Sequence, residues 1–168
     1  GDLFNGGEAI SRGLELSLQC NLAGASRRDF ALPFQVTYTY THAEFRNPFD
    51  SEFSPWGQVK RGDEMPYIPG HQLFLSFGLE YGRWQADISG KYTGSMRTEA
   101  GSGPVPEFSR TDSHFILDGS ADFTIARKTR LFAGVRNLTG RRYVAARRPA
   151  GVRPGLPRTF VTGIKTDF

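Results

Sequence analysis

The sequence predicts an all-β fold: an antiparallel, up-and-down sheet of about seven strands, each long enough to belong to a transmembrane β-barrel. Three observations carry this. Apolar and polar residues alternate with a period of two over seven segments. The segments run to about 10–14 residues, where soluble strands run nearer 5 or 6 and a tilted membrane strand needs about 9–11. The connections between them alternate between short and long.

The first segment sets Ile10, Leu14, Leu16, Leu18 and Cys20 on one face and Ser11, Gly13, Glu15, Ser17 and Gln19 on the other. The second opposes Leu32, Phe34, Val36, Tyr38 and Tyr40 to Gln35, Thr37, Thr39 and Thr41. In the third, Leu73, Leu75, Phe77, Leu79 and Tyr81 oppose Gln72, Ser76, Gly78 and Glu80. Trp84, Ala86, Ile88 and Tyr92 form the apolar face of the fourth, and Phe115, Leu117, Ala121, Phe123 and Ile125 that of the fifth. A sixth strand is expected over about 129–138. A seventh, about 158–168, sets Phe160, Ile164 and Phe168 against Lys165 and Asp167.

Gly82-Arg83 and Ala126-Arg127-Lys128 are tight turns, and 21–30 is moderately short. Residues 45–70, 94–111 and 139–157 are long connections. A barrel in an outer membrane sorts its loops this way, with short turns at the periplasmic end and long loops outside. The C-terminus is then periplasmic, and 1–8 is the tail of another external loop. Aromatic side chains favour the membrane interface. Tyr81, Trp84 and Phe168 are placed at one rim, and Tyr40, Phe45 and Tyr92 at the other. Arg12 falls on the apolar face near the external end, within reach of lipid phosphates.

Composition agrees. The 168 residues include 20 Gly, 10 Pro, 14 Phe and 6 Tyr, a supply of turn formers and aromatics suited to strands. The mean hydropathy of −0.41 suits a barrel, in which only alternate strand residues face lipid. No apolar run approaches the ~20 residues of a spanning helix. Cys20 is the single cysteine, which excludes an internal disulfide framework. Residues 1–10 lack the basic start and apolar core of a signal peptide, and the first residue is Gly, so a fragment or mature segment is expected.

The formal net charge is +4, and residues 123–166 contain no Asp or Glu while Arg and Lys recur. Such a field favours an anionic partner: nucleic acid, phosphorylated lipid or an acidic small ligand. Catalysis finds little support. His42, His71 and His114 lie on different strands without metal-ligand spacing and read as polar lumen residues, as do Asp118 and Asp122. Gly6-Gly7 and Gly101-Ser102-Gly103 neither follow a strand nor open a helix, so they are loop glycines rather than phosphate loops. No catalytic or metal-binding residue is assigned.

The strongest functional candidate is the last long loop. Arg141, Arg142, Arg147, Arg148, Arg153 and Arg158 are interleaved there with Pro149, Pro154 and Pro157. Guanidinium forks bind carboxylate and phosphate bidentately. Capture of an anionic ligand by Arg141, Arg142, Arg147, Arg148 and Arg153 is one reading. Contact with lipopolysaccharide phosphates or with neighbouring loops is the other.

Several segments resemble TonB-dependent receptors, in a flavour nearest the ferric dicitrate type. Asn137-Leu138 followed by Arg142-Tyr143 is similar to the family's NL…Y segment. Gly155-Leu156-Pro157-Arg158-Thr159 is similar to its G-x-P-R-T lead into the final strand. Ser11-Arg12-Gly13-Leu14-Glu15-Leu16 resembles its GxE strand, and Tyr67-Ile68-Pro69-Gly70-His71-Gln72 its P-x-x-P-x-H segment. The resemblance implies that residues 1–168 are C-terminal strands of a 22-stranded barrel whose N-terminal plug is absent from this chain. It implies import of a ferric siderophore-type chelate, carried as transported ligand with no cofactor, and energised by TonB through that missing N-terminal region. The implied partners are the outer membrane with its lipopolysaccharide and the barrel-assembly machinery, which would read Phe160, Ile164 and Phe168; nucleic acid is not among them. The alternative is a soluble all-β module that binds nucleic acid or another polyanion through the Arg tract.

Overall fold

A computed structural model describes residues 7–24, 30–53, 55–148 and 150–167. Gly6, Pro149 and Phe168, on which expectations fell, lie outside the described residues. Twelve strands occur among those described: β1 (Ala9–Asn21), β2 (Phe30–Ala31), β3 (Pro33–Phe45), β4 (Phe49–Asp50), β5 (Gln58–Val59), β6 (His71–Tyr81), β7 (Trp84–Thr93), β8 (His114–Ala126), β9 (Thr129–Arg136), β10 (Val144–Ala146), β11 (Arg153–Pro154) and β12 (Thr159–Thr166). No helix among them is long and apolar enough to cross a membrane, which leaves crossing by strands untouched.

Seven of the strands form one antiparallel sheet in the order β1-β3-β6-β7-β8-β9-β12, with β2 added to β6. Each long strand pairs with the next in sequence, the up-and-down order that the hairpin turns dictate. Residues Tyr81 and Trp84 face each other across Gly82-Arg83. Gly82 takes φ 56, a value at which a side chain is strained, so glycine closes this two-residue turn. The three 13-residue strands β1, β3 and β8 are each roughly 43 Å long at about 3.3 Å per residue, enough to cross a ~30 Å hydrocarbon layer at a barrel tilt of about 45°.

The registers carry the alternation across the sheet. Leu14 faces Tyr40, Leu16 faces Tyr38 and Leu18 faces Val36. On the other face Glu15 meets Thr39, and Ser17 meets Thr37 with hydroxyl oxygens 3.1 Å apart. A one-residue slip would exchange the faces of a whole strand, so the pattern fixes the register. The apolar face is bare: Leu14, Leu16 and Leu18 are 54–56% exposed, and Phe160 and Ile164 are 72% and 67% exposed. Contiguous apolar exposure on this scale calls for a covering medium.

The buried apolar side chains Ala43, Phe45 and Val59 lie instead at the end where the long connections meet. Phe45 packs edge-to-face on Phe49 and Trp56, at 5.2 and 6.0 Å between ring centroids. It is 2% exposed and so belongs to a loop core, not to the expected rim of interfacial aromatics.

The strand ends are refined, Arg12 gains a partner, and the place of two histidines is corrected. The sixth strand stops at Arg136, because Asn137 turns to φ 51, and the seventh begins at Thr159. Arg12 stays largely exposed and also meets a carboxylate of the same sheet: its Nη2 lies 3.2 Å from Glu44 Oε1, and His42 Nε2 is 3.2 Å from Glu44 Oε2. His42 and His71 sit on the apolar face rather than the lumen. Arg12 is the register partner of His42, and His71 accompanies Tyr38 and Tyr40, with the Tyr38 hydroxyl 2.8 Å from its Nδ1.

Candidate functional site

The three long connections leave the same end of the sheet and knit into one cap. Its cement is polar, unlike that of an ordinary core. Arg97, 9% exposed, donates from Nε to Glu64 Oε2 at 2.8 Å and from Nη2 to the Gly103 carbonyl at 3.1 Å. Glu64 N–H in turn donates to the Gly101 carbonyl. Thr98 and Thr111 are buried completely or nearly so, and the Thr111 hydroxyl accepts the Met96 N–H at 3.0 Å. Buried polar groups cost stability unless paired, and no buried side-chain nitrogen or oxygen among the described residues is left without a partner.

Tyr67 ties the last loop to the first. Its backbone takes φ 61, uncommon for an aromatic residue. Its hydroxyl accepts N–H groups from Arg148 at 2.8 Å and Arg147 at 3.3 Å, and lies 3.2 Å from the Arg148 carbonyl. Around the same point Arg148 forms an ion pair with Glu99, and Arg147 Nε donates to the Arg110 carbonyl.

A second organiser stands at the root of the last loop. Asn137 is 2% exposed. Its N–H donates to Asp118 Oδ1 at 2.7 Å, its Oδ1 accepts the Arg141 N–H at 2.8 Å, and its Nδ2 donates to the carbonyls of Arg141 and Leu156, both at 2.9 Å. One side chain thus holds both limbs of the loop. Beyond it, Tyr143 stacks on His114 with centroids 3.8 Å apart at 20°. A Cβ at position 155 would lie 1.9 Å from the Tyr143 ring, so only glycine fits on its other side.

These organisers divide the predicted arginines. Arg147 and Arg148 are half-buried and turned toward the neighbouring loops. Arg153 is exposed, with Nη2 3.4 Å from the Arg148 carbonyl. Arg141 and Arg142, also exposed, join Arg158 around a separate cleft of about 790 Å³ with Tyr143, Val152 and Pro154. The five arginines predicted as one set are therefore two groups. Arg97, Glu64, Tyr67 and Asn137 were missed. Only Asn137 had a local signal, since Asn-Leu-Thr-Gly has turn composition and Asn tolerates a positive φ.

Residues 2–138 match the family model described as TonB dependent receptor-like, beta-barrel. The chain belongs to the TonB-dependent receptor β-barrel family. Solved structures agree on the fold. The siderophore receptor PiuA from Acinetobacter baumannii is 17% identical, with 95% of this chain covering 22% of that one at a TM-score of 0.67. The copper transporter OprC is 18% identical, covering 95% and 24%, at a TM-score of 0.68. The ferric-catecholate import receptor Fiu from E. coli K12, in its closed form, is 16% identical, covering 95% and 28%, at a TM-score of 0.56. This chain thus spans about a quarter of the length of these receptors. No curated protein sequence matches it. Family membership decides between the two readings of the sequence: the sheet is barrel wall of an outer-membrane protein family, and the bare apolar face is the side such a wall turns to lipid.

Proposed function

We propose that this chain is wall and external cap of an outer-membrane receptor that takes up anionic ferric chelates of the siderophore type, energised through TonB. The chelate is cargo, and no resident cofactor is assigned. The observation that carries the reading is the arrangement of the cap. Three long loops are fused by Tyr67 and Arg97 into a scaffold, Asn137 clasps the last of them, and Arg141, Arg142 and Arg158 are left around an open cleft. Guanidinium groups at an outer mouth meet an anionic chelate before it reaches the lumen. Two of the similar structures are named a siderophore receptor and a ferric-catecholate import receptor, which supports the reading, and a third is named a copper transporter. Contact with TonB falls to the part of the receptor outside this chain. Lipopolysaccharide at the outward face is a further proposed partner. The barrel-assembly machinery is another, reading Phe160 and Ile164 on the apolar face together with Phe168.

The test is uptake of radioiron by cells that express the full receptor, with and without TonB. Accumulation from ferric dicitrate or a related anionic chelate that requires both proteins supports the reading. Uptake of free copper, with no uptake of any ferric chelate, contradicts it.

A further inference from the structure

The cleft at the root of the last loop has two kinds of wall. Arg141, Arg142 and Arg158 supply charge, while Tyr143, Val152 and Pro154 supply apolar surface. The carboxylate that also lines it, Asp112, already accepts the Val144 N–H through Oδ2 at 2.9 Å. The charge balance among these four ionisable residues is two positive, three Arg less one Asp. The walls are held in place before any ligand arrives. Asn137 clamps Arg141 and Leu156, Tyr143 is wedged between His114 and Gly155, and a Cβ at Gly140 would lie 3.0 Å from Arg158 Nη2, so that guanidinium rests over glycine. A volume of about 790 Å³ falls in the range of small-molecule sites, and preorganisation lowers the entropy lost on binding.

We propose that this cleft is a preformed site for a polyanion that also carries a flat apolar arm: carboxylate-type oxygens to the three arginines, the arm against Tyr143, Val152 and Pro154. This deepens the proposed function by naming the ligand class, and it rests on that reading for its biological role but not for its test. Arg147 and Arg148 are loop staples and stay outside the site. Fully hydrophilic anions satisfy only half of the cleft.

Two iron-free trianions separate the parts: benzene-1,3,5-tricarboxylate, with a ring, and citrate, without one. Binding of each to the purified full receptor at pH 8 and low salt is measured by calorimetry. The ring-bearing anion should bind at least tenfold more tightly than citrate. Arg142→Gln with Arg158→Gln should weaken both anions by about tenfold per arginine. Val152→Ser should narrow the difference between the anions. Arg127→Gln with Lys128→Gln, an equal loss of charge at the opposite end of the sheet, should change neither affinity. Heat-modifiable migration confirms that each variant is folded. Equal affinity for the two anions overturns the apolar arm. Affinities indifferent to Arg142 and Arg158, or equally sensitive to Arg127 and Lys128, overturn the site. A receptor that passes these tests but imports no ferric chelate overturns the proposed function alone.

Discussion

Asn137 holds the backbone of Arg141 on both sides of its Cα, accepting its N–H at 2.8 Å and donating to its carbonyl at 2.9 Å. The same amide reaches Leu156 across the loop. Asn137→Ala removes three hydrogen bonds, each worth about 1 kcal/mol net, and puts alanine at φ 51, which costs about a further 1 kcal/mol. Local stability of the last loop should fall by ~2–4 kcal/mol. Limited trypsin digestion checks this: cleavage at Arg142 or Arg147 should become much faster while the barrel stays resistant. Cleavage at the wild-type rate shows that the clasp does not hold the loop.

Tyr67→Phe tests the tie between first and last loops. The hydroxyl is the acceptor for the Arg147 and Arg148 N–H groups, and a buried donor left unpaired costs roughly 1–3 kcal/mol. Amide exchange at 147 and 148 should accelerate at least tenfold. Exchange at 134, inside the β9 ladder, should not change.

Gly155→Ala addresses the stack. The added methyl overlaps the Tyr143 ring and forces it off His114. Overpacking of this kind typically costs about 1–3 kcal/mol. Adding Tyr143→Ala to that variant removes the overlap, so the cost of Gly155→Ala should largely vanish in that background. A double-mutant cycle on urea unfolding of the receptor measures the coupling, and additive effects would refute direct contact.

The outward face sets the depth of the membrane. Arg12, His42 and Glu44 cluster toward the cap end of β1 and β3, and from Leu14 onward the same face is apolar. The outer boundary of the hydrocarbon layer is therefore expected between Arg12 and Leu14. Leu16→Arg should cost about 2–4 kcal/mol and lower the folded fraction, since it puts charge within the apolar band. Ile10→Arg, whose register partner is Glu44, should cost about 1 kcal/mol or less. Heat-modifiable migration of the two variants decides, and equal losses would contradict the boundary.

The wall was legible in the sequence because its rule is local. Period-2 alternation and loop length belong to neighbouring residues, and the ladder joins each strand to the next. The cap was not legible, because its rules are distant. Glu64 finds Arg97 33 positions away, and Tyr67 reaches Arg148 across 81. No spacing marks such pairs. The Arg tract was read as one site for the same reason: Arg148 and Arg142 look alike until Glu99 claims one of them. Phe45 shows the converse error, since its place at a strand end matched an interface aromatic while Phe49 and Trp56 enclose it.

The central claim is that this sheet is a membrane wall with Leu14, Leu16 and Leu18 toward lipid and Glu15 and Ser17 toward the lumen. Nitroxide labels placed singly at 14, 15, 16, 17 and 18 of the full receptor in liposomes test it most directly. Collision with oxygen, which partitions into lipid, should peak at 14, 16 and 18. Collision with a water-soluble nickel chelate should peak at 15 and 17. Uniform nickel accessibility along all five positions would contradict the account.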